Sequence, residues 1–192
     1  MISHGSDSTL LSLAECTALS HAEAIARRGE DDARARVFAF LARAGCTPEQ
    51  YAEAMDCVMA HARIVIHFHP DRPGRKGAIV AEALLDEGVY RNQFETGLSS
   101  GSVSAFPGGE RGVWEKTLFG GAYHEEGVTA SHRPKYGALE LVRYSDGPIP
   151  RFGSCYLVLR QRITKHCSFT FMGSEHPQAT ERLWAPSATC SA

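Results

Sequence analysis

The sequence predicts an α+β protein: an N-terminal helical segment, then a mostly antiparallel β-sheet, open to splitting into two parts, with short helices between its strands. Three observations predict it. Residues 1–62 are rich in Ala, Leu, Arg and Glu and carry two helix-start signatures. The composition then turns β-branched and alternating from Ile64 to Phe68. The later apolar runs follow one another across turns too short for parallel crossovers, which favours antiparallel pairing over a doubly wound sheet. The chain therefore divides into a helical segment over residues 1–62, an α+β core domain over 63–172 and a polar, loosely held tail over 173–192.

Each element has its own signal. Ser12 with Glu15 three places on forms a capping box ahead of a helical pattern over 12–44, broken near residues 29–32 into two helices. Thr47 caps the next helix, Pro48 suits its first position and Gln50 completes the box, so this helix should run to about His61. Ile64, Ile66 and Phe68 alternate with Val65, His67 and His69, a strand period that points both histidines to one face. Pro70 and Pro73 end that strand, and Gly74 and Gly77 keep the following loop open. AIVAEALLDEG reads as a short helix closed by Gly88. VYRNQFETG reads as a strand, with Tyr90, Asn92 and Phe94 alternating with Arg91, Gln93 and Glu95. Thr96, Gly97, Ser99, Ser100 and Gly101 follow as a hydrogen-bonding loop, and ERGVWEKTLFGG is a short helix. GALELVRY, FGSCYLVLR and HCSFTFMG are expected as strands.

Of the 192 residues, 43% are hydrophobic and 22% charged, the make-up of a globular protein rather than a disordered or fibrous one. A formal net charge of −2 removes the broad basic footprint of a dedicated nucleic-acid or anionic-membrane binder. No apolar run approaches the roughly 20 residues that span a bilayer, and the first residues lack the pattern of a secretion signal, so a cytoplasmic location is expected. Six scattered cysteines without a Cys-x-x-Cys pair argue against a zinc knuckle or a disulfide framework, and no structural metal is expected.

The chemistry concentrates in HFHPDRPGRKG, which sets His67, His69, Asp71, Arg72, Arg75 and Lys76 behind an apolar strand. His69-Pro70-Asp71 matches the signature tripeptide of J-domain cochaperones, but there the tripeptide follows a basic amphipathic helix and here it follows a strand pattern. His67 and His69 with Asp71 would make a two-His-one-carboxylate set for zinc or iron, completed by His124, His132, His166 or His176. That arrangement resembles the His-x-His of amidohydrolase-type metal enzymes, whose barrels need roughly 250 residues. A metal-dependent hydrolase is the alternative this cluster supports. The bland reading is a core histidine with a solvated loop behind it.

HFHPDRPGRKG, GVYRNQFETGLSSG, AFPGGERGVWEKTLFGGAYH, RPKYGALELVRY and PRFGSC resemble, block by block, an uncharacterised bacterial family known only as a domain of unknown function. The resemblance covers residues 64–171. The family's layout is more loosely similar to the ADP-ribosyltransferase superfamily, which binds NAD in a split sheet. That resemblance implies NAD as the small-molecule partner and a protein as acceptor, while the charge balance and the lack of a long apolar run point to neither nucleic acid nor membrane as a partner. It gives the nicotinamide ribose to His67, with His69 as competitor, and the place beside the nicotinamide to Tyr90 or Tyr136. Phosphate falls to Arg72, Arg75 or Lys76, while Asp71 and Gln93 complete the cofactor-binding set. The acid role goes to Glu95 or Glu181, in the order catalytic His67, catalytic Glu95. Family members continue past the FTF strand into a Glu-containing strand, so the resemblance also allows a shortened form that binds NAD without turnover.

Two further classes remain at this stage. The alanine-rich helices suit a non-catalytic interaction module, which an apolar stripe on helix 47–61 would support. A nuclease would use His67 as base with Arg91 and Lys135 on phosphate, against which stands the acidic charge balance.

Overall fold

The computed structural model describes residues 11–74, 77–98, 105–170, 173 and 183–184. Three helices come first: α1 (Leu13–Arg28), α2 (Glu30–Arg43) and α3 (Pro48–His61). Both expected capping boxes are present. The Ser12 hydroxyl accepts from the Glu15 amide while the Glu15 carboxylate takes the Ser12 amide at 2.7 Å. Thr47 and Gln50 make the same reciprocal pair at the head of α3. Such caps contribute about 1 kcal/mol each by satisfying amides that have no partner inside the helix.

The first strand, β1 (Arg63–Phe68), is the centre of a three-stranded antiparallel sheet. Its neighbours are β2 (Ala138–Glu140) on one side and β3 (Cys155–Val158) on the other. Arg63 pairs with Glu140 and Val65 with Ala138, while Val65 to Phe68 run against Val158 to Cys155. The Arg63 guanidinium closes one end of this sheet in an ion pair with the buried Glu140 carboxylate. Ile64, Val65 and Ile66 are all buried, which explains a strand with almost no polar residue in its middle. A second sheet pairs β4 (Phe169–Thr170) with β5 (Leu183–Trp184).

Between the strands lie α4 (Val80–Glu87), α5 (Gln93–Thr96) and α6 (Glu110–Leu118), with 3-10 helices at Ala122–His124, Ala130–His132, Pro150–Phe152 and Gln161–His166. The α+β class and antiparallel pairing are as expected, and the described residues form one three-stranded and one two-stranded sheet. Ala18, Leu19 and Ala22 of α1 are buried, and Ala18 and Ala22 pack against Leu118, Phe119, Ala122 and Tyr123 at the end of α6. By contrast α2 and α3 bury no residue, and their mutual contact centres on Phe38 edge-on to Tyr51 at 5.7 Å. Among the described residues no helix is long and apolar enough to cross a membrane.

The structure corrects the second motif block. Residues 89–95 are not a strand; the chain turns at Asn92 into the short helix α5. The Asn92 side chain accepts from the amides of Phe94 and Glu95 at 2.9 and 3.1 Å, and Glu95 returns to the Asn92 amide at 2.8 Å. This reciprocal cap outweighs a period-two pattern of only six residues. The later strands are also shorter than their apolar runs. In HCSFTFMG only Phe169 and Thr170 are paired among the described residues, because His166 still belongs to the preceding 3-10 helix.

Candidate functional site

The end of β1 is covered by a strap of chain over residues 147–153. His67 is 8% exposed, and both of its ring nitrogens meet that strap. A carbonyl only accepts, so Nδ1 carries the proton and donates to the Gly153 oxygen at 2.9 Å. An amide only donates, so Nε2 accepts from Ile149 N–H at 3.3 Å. Tyr156, paired with His67 across β3, lies with its ring centroid 5.3 Å from the imidazole. The fit requires glycine twice. A Cβ on Gly147 would come within 2.6 Å of Nε2, and one on Gly153 within 2.0 Å of the Phe68 carbonyl carbon.

His69 lies just beyond the strand end and is half-buried, as is Arg72, while Asp71 is exposed. The turn that carries them folds back onto the head of α4, with the Ala81 and Val80 amides donating to the Pro70 and Arg72 carbonyls at 2.9 and 3.0 Å. Tyr90 reaches this end from the second motif block. Its ring packs edge-on against Phe68 with centroids 6.5 Å apart, and burial pushes its phenol above the ordinary tyrosine range.

A second polar cluster lies between α5, α6 and the entry to β2. Glu115 has no exposed surface. Its two carboxylate oxygens accept from Arg133 at 2.8 Å and from the Tyr136 hydroxyl at 3.0 Å. Arg133, itself 6% exposed, stacks its guanidinium 4.0 Å from the Phe94 ring centre. Arg111 lies over Tyr136 at 4.7 Å and near Trp114 at 5.6 Å. The Asn92 side-chain amide donates to the Ala130 and Arg133 carbonyls at 2.5 and 3.2 Å. Burial raises the Glu115 carboxyl above its usual range even though Arg133, Tyr136 and Arg111 all favour the charged form. Burial, reinforced by the Glu115 charge, holds the Tyr136 phenol well above the usual tyrosine range.

With both clusters in place, comparison with known proteins decides the family. Residues 63–183 match the family described as proteins of unknown function, DUF3626. The chain belongs to that family. No curated protein and no solved structure matches it. The DUF3626 match opens at Arg63, the first residue of β1, so α1, α2 and α3 precede it and both polar clusters fall inside it.

Within the DUF3626 domain, the expected site residues take distinct places. His67, His69, Asp71, Arg72 and Tyr90 gather around the end of β1. Gln93 is half-buried on α5, and among the described residues its Oε1 is buried without a hydrogen-bond partner. Glu95 is engaged through both oxygens, one on the Asn92 amide and the other on Arg91 at 3.2 Å. Arg91 also binds Glu87 at 2.6 Å, which ties α5 to the end of α4. Tyr136 belongs to the Glu115 cluster. Arg75, Lys76, Ser99, Ser100, Gly101, His176 and Glu181 lie outside the described residues. Among the described residues no group of three or more His, Cys, Asp or Glu side chains gathers to hold a metal ion.

Glu115, Arg111 and Asn92 are the residues that sequence reading passed over. Glu115 sits in a helix between Trp114 and Lys116, with Glu110 and Arg111 a turn earlier, in a charged stretch where a carboxylate ordinarily faces water. The available signal was the Asn-x-x-Glu capping pattern at residues 92–95.

Proposed function

We propose that this DUF3626 protein binds NAD at the end of β1 and acts in the manner of an ADP-ribosyltransferase or an NAD-cleaving protein. The observation that carries this reading is the contact of Tyr90 with Phe68. Through it the HFHPDR and YRNQFETG blocks, on which the likeness to that superfamily rests, meet in space although their central residues are well separated in sequence. The residues at that place suit a dinucleotide by their chemistry. His69 is the imidazole of the pair assigned to the ribose hydroxyls, because the nitrogens of His67 already serve the strap. Tyr90 offers an aromatic surface for the nicotinamide, Arg72 a cation for the pyrophosphate, and Gln93 an amide for polar groups on the ring. His67 then acts by holding the strap in place.

In such a reaction the bond between ribose and nicotinamide breaks with its electron pair leaving on nicotinamide, and an acceptor oxygen or water attacks the electron-poor ribose carbon. A carboxylate that orients the attacking group is required. Glu95 is committed to the α5 cap, so Glu181 is the alternative, and the reading separates binding from turnover at this point. A protein acceptor and a cytoplasmic setting belong to the same reading.

The test is calorimetric titration of NAD into the chelator-treated full chain, beside His69→Ala and Tyr90→Ala. Saturable heat that either substitution weakens by about tenfold or more, equivalent to about 1.4 kcal/mol, is the expected result. Absence of saturable heat with NAD would overturn the proposal.

A further inference from the structure

Beyond the groups that would meet a ligand, we propose that Glu115 is the positioning residue of the site: it holds α5, and through α5 the direction of Gln93 and the approach of the preceding Tyr90 to Phe68 at the end of β1. The claim that α5 is held by this carboxylate stands on geometry alone. Its consequence for a ligand rests on the NAD reading.

The argument follows a chain of contacts. Four-residue α5 has too few internal hydrogen bonds to define its own direction. Two contacts outside the helix do so instead. Asn92, at its head, hangs from the carbonyls of Ala130 and Arg133, and Phe94, on its first turn, lies under the Arg133 guanidinium. Both therefore depend on where the segment 130–133 sits. That segment is a single 3-10 turn, short enough to need an anchor of its own. The anchor is the Arg133–Glu115 ion pair, with Glu115 borne on α6. Helix α6 in turn is fixed to α1 through the packing of Leu118 and Phe119. The second oxygen of the same carboxylate receives Tyr136, two residues before β2. One buried side chain thus sets the sheet entry and the α5 segment relative to each other.

A charge in this place is informative because an apolar residue would pack as well and avoid desolvating an ion. A carboxylate adds what an apolar side chain lacks: two acceptors at fixed directions, one for Arg133 and one for Tyr136.

The experiment is hydrogen exchange read by mass spectrometry on the full chain, with Glu115→Gln and Arg133→Lys, alongside NAD titration of each. Glu115→Gln keeps the shape and removes the charge. Arg133→Lys keeps the charge on Glu115 and gives up the flat stack on Phe94, so it reads the same linkage if the first variant does not fold. Either variant should speed exchange in residues 89–98 by about tenfold more than in β1 and α1, and should weaken NAD by about the same factor. A purely structural role would instead loosen β1, α1 and α5 together and leave the affinity of the folded fraction unchanged, which would overturn the proposal, as would wild-type exchange in 89–98. If α5 loosens selectively but the wild-type chain ignores NAD, positioning stands and the NAD reading falls.

Discussion

The His67 pocket and the Glu115 cluster both bury polar side chains, and they satisfy them in opposite ways. His67 bonds only to backbone, one carbonyl and one amide on the same strap, with glycines making room. Glu115 bonds only to side chains, which arrive from the single stretch 133–136 and bring an opposing charge. The difference teaches where each site is fragile. Backbone groups freed by losing a side chain can turn toward water, whereas a buried carboxylate that loses its cation has no such recourse.

The largest effect should come from Arg133→Ala. It strands Glu115 without its cation, and urea unfolding should show about 3–5 kcal/mol of lost stability. A loss under about 1 kcal/mol would mean that water reaches Glu115 and the contrast between the two sites is gone. Next comes His67→Ala, which frees the Gly153 carbonyl and the Ile149 amide and should cost about 1–3 kcal/mol in the same assay. If this substitution costs more than Arg133→Ala, backbone satisfaction is the more demanding of the two.

A smaller effect should separate the sites by pH. Tyr136 has a folded-state pKa above its unfolded value of 10.0. Its contribution is therefore fully present below about pH 10 and falls as pH rises past that value, by up to about 1.4 kcal/mol per pH unit. Phenolate absorbance from Tyr136 should accordingly appear together with unfolding, and Tyr136→Phe should retain more of its stability above pH 10 than wild type does. An equal alkaline limb in the two proteins would remove Tyr136 from the network's account. The smallest effect belongs to Glu95→Gln. The amide oxygen still takes the Asn92 amide and only the exposed Arg91 pair weakens, so stability should change by at most about 0.5 kcal/mol. If NAD turnover is then found in the wild-type chain and Glu95→Gln abolishes it, Glu95 does more than cap α5.

Legibility in the sequence followed the range of the forces involved. The caps of α1 and α3 were readable because every participant lies within three residues of the others. Strand β1 was readable from its alternation and from the prolines that end it. Helix α5 was not, since a period-two pattern and a capping box coincide over the same residues and only one of them sets the backbone. HFHPDR drew attention to the end of β1, but the partners of His67 are 82 and 86 residues away, and nothing local reveals that both nitrogens are taken. Glu115 was the hardest to see. Helical spacing says which residues share a face, and only the arrival of Arg133 and Tyr136 decides that this face is buried.

The placement of β1 at the centre of its sheet also bears on how the chain is made. Arg63 meets Glu140 across 77 residues, and His67 meets Gly153 across 86. During synthesis at about 5–20 residues per second, this strand leaves the ribosome several seconds or more before either neighbour exists. Through that interval both of its edges are open to any other extended chain. Crowded expression should therefore favour inclusion bodies over a correctly paired sheet, and slowing initiation rather than elongation is the way to raise the folded yield.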